Sequence, residues 1–492
     1  MLAGTLLLAV GYVPAGAAGA GAANTHRRAA VPLAQQPVVT LTAGGQTFDI
    51  QGRPGDSRWL AVVKSGLTAE VPALEDLTGL IAPGGTIAIA EVDDGLNNNG
   101  ISYDPASRTL GIPQSAGPSI VANALARIWF NSTFFSDRWV NEGLAAFAEQ
   151  VAGTGSYLPC SAMPAYPGAG NPNLAAWATL DAASTIAEQN VADWQVGASC
   201  AFFAEVAEAM GPANFRNVLV AAAARRPAYG LGSQAAAGAS PVTVRQLLDL
   251  IDEVGMVPAS APDPDMAQKL LAGFGIFDTA TLASRSQARA AYHALTTRAG
   301  SWSIAPAIRA PLQSWDFAAA EAAMTTAGEI LDVRDAVEKT IPSYSPNGSA
   351  VQTGFETAAI QDDLESLQSV MQKMFDASGT IAHATGLRDG SRSLLQTIGL
   401  IGTDTDTPIK HALADLQSVE PGKAQSDAQL AIDEIDGASN VGLLRAALAV
   451  GLLGLTLILA FWLALTVRRR RRRRRGGTVA GDVAPPEETD LP

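Results

Sequence analysis

Beginning near residue 38, apolar and polar positions alternate in short runs. VVTLTA and TFDI read as strands whose successive side chains point to opposite faces. GGTIAIAEV (84–92) reads as a further strand, entered from a Pro-Gly-Gly turn, and GISYDPASRTLGIPQ (100–114) as a hairpin turning around 104–107. The acids and amides of DDGLNNNG (93–100) have the composition of a calcium loop without its ligand spacing, so they read as a polar connection. After Pro118 the apolar period lengthens to three or four. SIVANALARIWF (119–130) and FSDRWVNEGLAAFAEQVAG (135–153) read as two helices, the second closed by glycine. A Pro-, Gly- and Asn-rich loop (157–173) separates them from three more helical stretches, at 193–211, 215–226 and 242–255. PASAPDPD (258–265) marks a linker, and helical spacing resumes beyond it without a fixed repeat, giving an irregular helical domain or stalk over 266–440.

Two segments are apolar without periodicity. Residues 1–23 combine a short apolar stretch with small residues in A-x-A patterns, the form of a secretory signal, although the basic start of such signals is missing. Residues 446–467 are 22 uncharged positions, about 33 Å of helix and enough to cross a bilayer core. Arg445 precedes them, and eight arginines running from Arg468 to Arg475 follow. Under the positive-inside rule residues 468–492 form a cytoplasmic arginine-rich tail, and the long N-terminal part is outside. The arginines then read as a stop-transfer signal that also meets anionic lipid, in preference to a nucleic-acid patch.

Charge agrees with that division. The formal net charge is -14, yet residues 1–467 alone carry 25 Lys+Arg against 43 Asp+Glu, a net of -18. An acidic body repels phosphate backbones, which argues against nucleic-acid binding by the folded part. With 48% hydrophobic residues the chain can bury a sizeable core, which excludes wholesale disorder. Both cysteines, Cys160 and Cys200, lie in the expected exported part, where an even count suits a disulfide; the alternative is two separate buried thiols.

One stretch carries chemical information, IVANALARIWFNSTFFSDRWVNEGLAAFAEQ (120–150). It resembles the core of gluzincin zinc metallopeptidases, the aminopeptidase N-like clan, in which a helix bearing H-E-x-x-H and a Trp-Phe pair precedes a helix bearing N-E-G. Trp129 and Phe130 match the pair, and Asn141, Glu142 and Gly143 match the second helix, with Glu149 two turns further along the same face. The resemblance covers roughly residues 40–255. It implies an α+β gluzincin-like (zincin) domain over 36–255, with the motif helices at 116–153, ahead of the mostly helical domain at 266–440 and the single transmembrane helix. Trp129, Asn141 and Glu149 would line or support its cleft.

In that family two histidines at i and i+4 present imidazole nitrogens to one zinc ion, and the glutamate between them takes a proton from the metal-bound water. Here the histidine positions hold Asn123 and Arg127, and the base position holds Ala124; only Glu142, the third ligand, remains. The chain has four histidines, His26, His293, His383 and His411, all outside the matching stretch. A permanently charged arginine repels a cation, so the resemblance implies a lost zinc site, no bound cofactor and no catalytic residue. Helix geometry lets the Arg127 guanidinium take the vacated place and pair with Glu142, aided by Asn123. The alternative is that Arg127 reaches solvent while Glu142 caps a helix. The expectation is a membrane-anchored extracellular pseudopeptidase binding an unidentified peptide or protein partner. A zinc peptidase with unrecognised ligands and a structural surface protein without a cleft ligand are the two other readings.

Overall fold

A computed structural model of the chain describes residues 38–95, 100–152, 160, 165–177, 180–230, 240–255 and 266–475. The expected signal segment, the linker at 258–265, Gly153 and the end of the tail lie outside these residues, as does part of the polar connection at 93–100.

Strands β1 (Val39–Ala43) and β2 (Gln46–Gln51) form a hairpin, and helix α1 (Ser57–Thr78) carries the chain to β3 (Ile87–Val92). The second hairpin consists of β4 (Ser102–Asp104) and β5 (Thr109–Pro113). The five strands make one mixed sheet in the order β1-β2-β3-β5-β4, with β2, β3 and β5 parallel and the two edge strands antiparallel to their neighbours. Alternation places Phe48, Ile50, Ile87, Ile89, Leu110 and Ile112 in the core. Helix α1 meets them with Trp59, Val63, Leu67, Val71 and Leu74, spaced three or four apart so that they share one face. The Asp56 carboxylate caps its start by accepting from the Trp59 amide, and the Trp59 indole donates to the Pro113 carbonyl, tying α1 to β5.

Helices α2 (Pro118–Ala126), α3 (Arg138–Val151), α4 (Ile186–Met210), α5 (Pro212–Ala223) and α6 (Val244–Leu250) follow, the last running into a π-helical turn at Ile251–Gly255. Helix α2 ends four residues earlier than its apolar run predicts. The Arg127, Ile128 and Trp129 amides bond three residues back instead of four, tightening the last turn and turning Trp129 and Phe130 into the core. Helix α4 begins at a capping box in which Thr185 and Glu188 satisfy each other's backbone donors. A disulfide joins Cys160 to Cys200 on α4, with the two Cα atoms 5.1 Å apart.

The second half contains α7 (Met266–Gly273), α8 (Thr279–Ala299), α9 (Pro306–Ser314), α10 (Phe317–Thr340), α11 (Ala350–Thr357), α12 (Gln361–Asp389), α13 (Leu394–Gly399), α14 (Asp406–Gln417) and α15 (Pro421–Arg475). Among the described residues there are two apolar cores. The first takes in the sheet, α1 to α6, Ala267, Leu271, Phe274, Leu282 and Trp315; the second runs, Trp315 apart, from Ala288 to Ile432 and also buries Tyr229. Their boundary falls within α8, later in the chain than the proline-rich linker.

Helix α15 is 55 residues long and continuous. Its first part packs Ala424, Ala428, Ala431, Ile432, Ile435 and Ala438 against its neighbours, whereas Leu448, Leu452, Leu455, Leu459 and Trp462 are exposed. It is long and apolar enough to cross a membrane. The chain is therefore mostly helical, with a small mixed sheet and one candidate membrane helix toward its C-terminal end.

A candidate functional site between two helices

Helix α2 presents Asn123 and Arg127 one turn apart toward α3, and α3 presents Glu142 and Glu149 back. The Arg127 Nη2 donates to Glu142 Oε2 at 2.5 Å. The Arg127 Nε and Nη2 also reach the Asn123 Oδ1 at 3.3 and 3.2 Å, and the Asn123 Nδ2 donates to Glu149 Oε2 at 3.1 Å. The four side chains form a continuous chain of contacts across the helix pair, from Glu142 through Arg127 and Asn123 to Glu149. Glu142 retains only 5% and Glu149 4% of their surface. The Arg127–Glu142 ion pair expected from the sequence is thus present, and the guanidinium does not run out to solvent.

Arg138 stands one turn before Glu142 on α3, and its Nε lies 3.6 Å from Glu142 Oε1, while its guanidinium sits over the Trp177 ring at 5.6 Å. Sequence reasoning overlooked this second cation, although the i,i+4 spacing of Arg138 and Glu142 is the signal that could have found it. Two arginines therefore face one buried carboxylate. Removing a carboxylate from water costs several kcal/mol unless charge and hydrogen bonds compensate it, and these contacts do so.

The remaining residues of the stretch serve as framework. Ala124 is fully buried in the core. The Trp129 indole donates to the Leu80 carbonyl, anchoring the end of α2 to the segment after α1. The Asn141 Nδ2 donates to the Phe135 carbonyl at 2.9 Å, fixing the entry to α3. Gly143 faces α4 so closely that a Cβ there would lie 2.6 Å from the Ser199 Cβ and 2.9 Å from its carbonyl oxygen. Glycine allows α3 and α4 to touch backbone to backbone.

A zinc ion does not fit this arrangement. The Arg127 guanidinium lies between α2 and α3, and the groups beside it are an amide and two carboxylates already engaged, a set that does not suit zinc. Among the described residues no three His, Cys, Asp or Glu side chains converge as a metal-holding group. His293 lies on α8, 3.2 Å from Glu253, far along the chain from these helices, and His383 and His411 lie on α12 and α14.

A second buried charged group joins the π-helical turn to α8. Arg285, with no exposed surface, pairs with Asp249 and Asp252 at 2.7 Å each, and Arg289 pairs with Glu253 at 2.8 Å. The Trp315 indole donates to Asp249 Oδ2 and the Tyr229 hydroxyl to Asp249 Oδ1. Burial pushes the Tyr229 hydroxyl well above the ordinary tyrosine range, with the neighbouring Asp249 charge adding to the shift, so it remains a donor. Arg285 and Arg289 on α8 thus meet acids of α6 and of the π-helical turn, the pattern of an internal tie.

The chain matches no protein-family model, no curated protein and no solved structure.

Proposed function

We propose that the chain is a membrane-anchored, non-hydrolysing relative of the gluzincin peptidases whose ectodomain binds a peptide or protein partner. The observation that carries this reading is the Arg127–Glu142 ion pair, extended through Asn123 to Glu149, between two helices in the order the family resemblance implies. The β4–β5 hairpin leads directly into α2, and α2 into α3, which supports the same reading. With arginine in the ion's place and alanine at the base position, the site lacks both the metal that lowers the pKa of a water in that family and the glutamate that takes its proton there. What remains is a rigid two-helix frame suited to recognition. The eight arginines after the span favour a cytoplasmic tail touching anionic lipid, with the two cores outside.

Metal analysis of the detergent-solubilised full chain after dialysis tests the reading. We expect zinc far below one ion per chain and no hydrolysis of peptide substrates on zinc addition. One tightly held zinc per chain, retained through dialysis, would overturn the proposal.

A further inference from the structure

Helix α13 is only six residues long, yet it and the turn after it expose three large apolar side chains: Leu394 at 77%, Leu395 at 37% and Ile401 at 65%. Among the described residues outside α15, no other stretch this short exposes three. Its position explains what would cover them. Helix α13 crosses α15 just before the candidate span, at a contact made by two glycines. A Cβ on Gly399 would lie 1.8 Å from the Ala438 carbonyl oxygen, and one on Gly442 would lie 1.8 Å from the Leu395 carbonyl oxygen. With backbone pressed on backbone, α13 has no freedom to slide along α15.

Arg445 completes the joint. Its Nη1 donates to the carbonyls of Ile398, Gly399 and Ile401 at 3.0, 3.0 and 2.7 Å. These carbonyls lie at the end of α13 and in the turn after it, where the helix dipole is negative, so a cation suits them. The charge that would otherwise mark the water edge of the span is turned sideways onto α13. Apart from Leu430, apolar exposure on α15 starts at Val441, Leu443 and Leu444 and continues through Leu448. From 441 to 467 the helix measures about 40 Å, against a hydrocarbon core of about 30 Å, so its first turns lie at headgroup depth, level with α13.

We propose that α13 and the following turn form a membrane-seated foot, with Leu394, Leu395 and Ile401 immersed in the phospholipid leaflet that the span enters. Short apolar surfaces of this kind bury about 5–10 Å into the headgroup boundary. The foot, Arg445 and the glycine joint would together fix the tilt of the folded part over the bilayer. The inference needs the span and is independent of the pseudopeptidase reading.

The test uses the full chain in phosphatidylcholine vesicles, with an environment-sensitive dye on Leu394→Cys or Ile401→Cys, and on Ile360→Cys as an exposed site elsewhere. Shallow spin-labelled lipid should quench the dye at 394 and 401 at least about threefold more than at 360. Equal quenching at all three positions would overturn the proposal. So would dye at 394 or 401 shielded equally in vesicles and in detergent, with cross-links between copies, since a second chain would then cover the patch. Release of the chain from vesicles at alkaline pH would remove the span and the foot with it. As a second readout, Leu394→Ser/Leu395→Ser/Ile401→Ser should keep the detergent Tm of the parent while losing the fixed tilt, seen as a broader distance distribution from a label on the ectodomain to the bilayer surface.

Discussion

Arg127 holds its position because Glu142 could not remain there alone. The carboxylate is 5% exposed, and its other cation, Arg138, is longer-range and more than a third exposed. Arg127→Leu should therefore destabilise the chain by about 3 kcal/mol, because it strands a buried charge. Adding Glu142→Leu should restore most of that loss, since a matched apolar pair replaces a matched ionic one at little net cost. Chemical denaturation of the single and double variants in detergent measures both, and a double variant as unstable as the single would refute the coupling. The i,i+4 spacing puts Asn123 and Arg127 on one face, whereas Glu142 as the partner opposite them was legible only through the family resemblance. The Asn123–Glu149 bond was less legible, since it depends on how far α3 slides along α2, which tertiary packing alone decides.

At the scale of elements, the Asn-Glu-Gly stretch acquires a structural meaning. Gly143 is where α3 and α4 meet, and α4 also holds Cys200 of the disulfide. Gly143→Ala should cost about 1–3 kcal/mol by forcing the helices apart, and thermal unfolding would show the lowered Tm. An unchanged Tm would mean that the joint is loose. The strands of the first hairpin were readable from two-residue alternation, and the second hairpin from the turn around 104–107. Helix α1 was not, although its buried positions have helical spacing: Pro72 interrupts it and Gly66 lies within it, and both are residues that usually argue against a helix. The early end of α2 was also hidden, since an apolar run does not reveal where the backbone tightens. The start of α4 had a sequence signal that went unused, the T-x-x-E of Thr185 and Glu188.

For the whole molecule, the decisive link is α8. Its first half belongs to one core and its second half to the other, and between them Arg285 and Arg289 grip acids of α6 and of the π-helical turn. The two cores should consequently unfold together. Arg285→Met leaves Asp249 and Asp252 buried with fewer cations, so it should cost about 3–5 kcal/mol and split the unfolding into two transitions by calorimetry. A single transition at an unchanged midpoint would show the tie to be dispensable. No stretch of sequence announces this arrangement, because acids and arginines 36 residues apart along the chain meet only once both cores are built.

One uninterrupted helix starts among the alanines of the second core and ends in a row of arginines. It contains no proline after its first residue, and its glycines do not break it, so it behaves as a stiff axle of about 80 Å. A twist imposed on the folded body by whatever grips it would reach the cationic end without being absorbed at a hinge along the way. Displacing the body by a few degrees would swing that end through a wide arc.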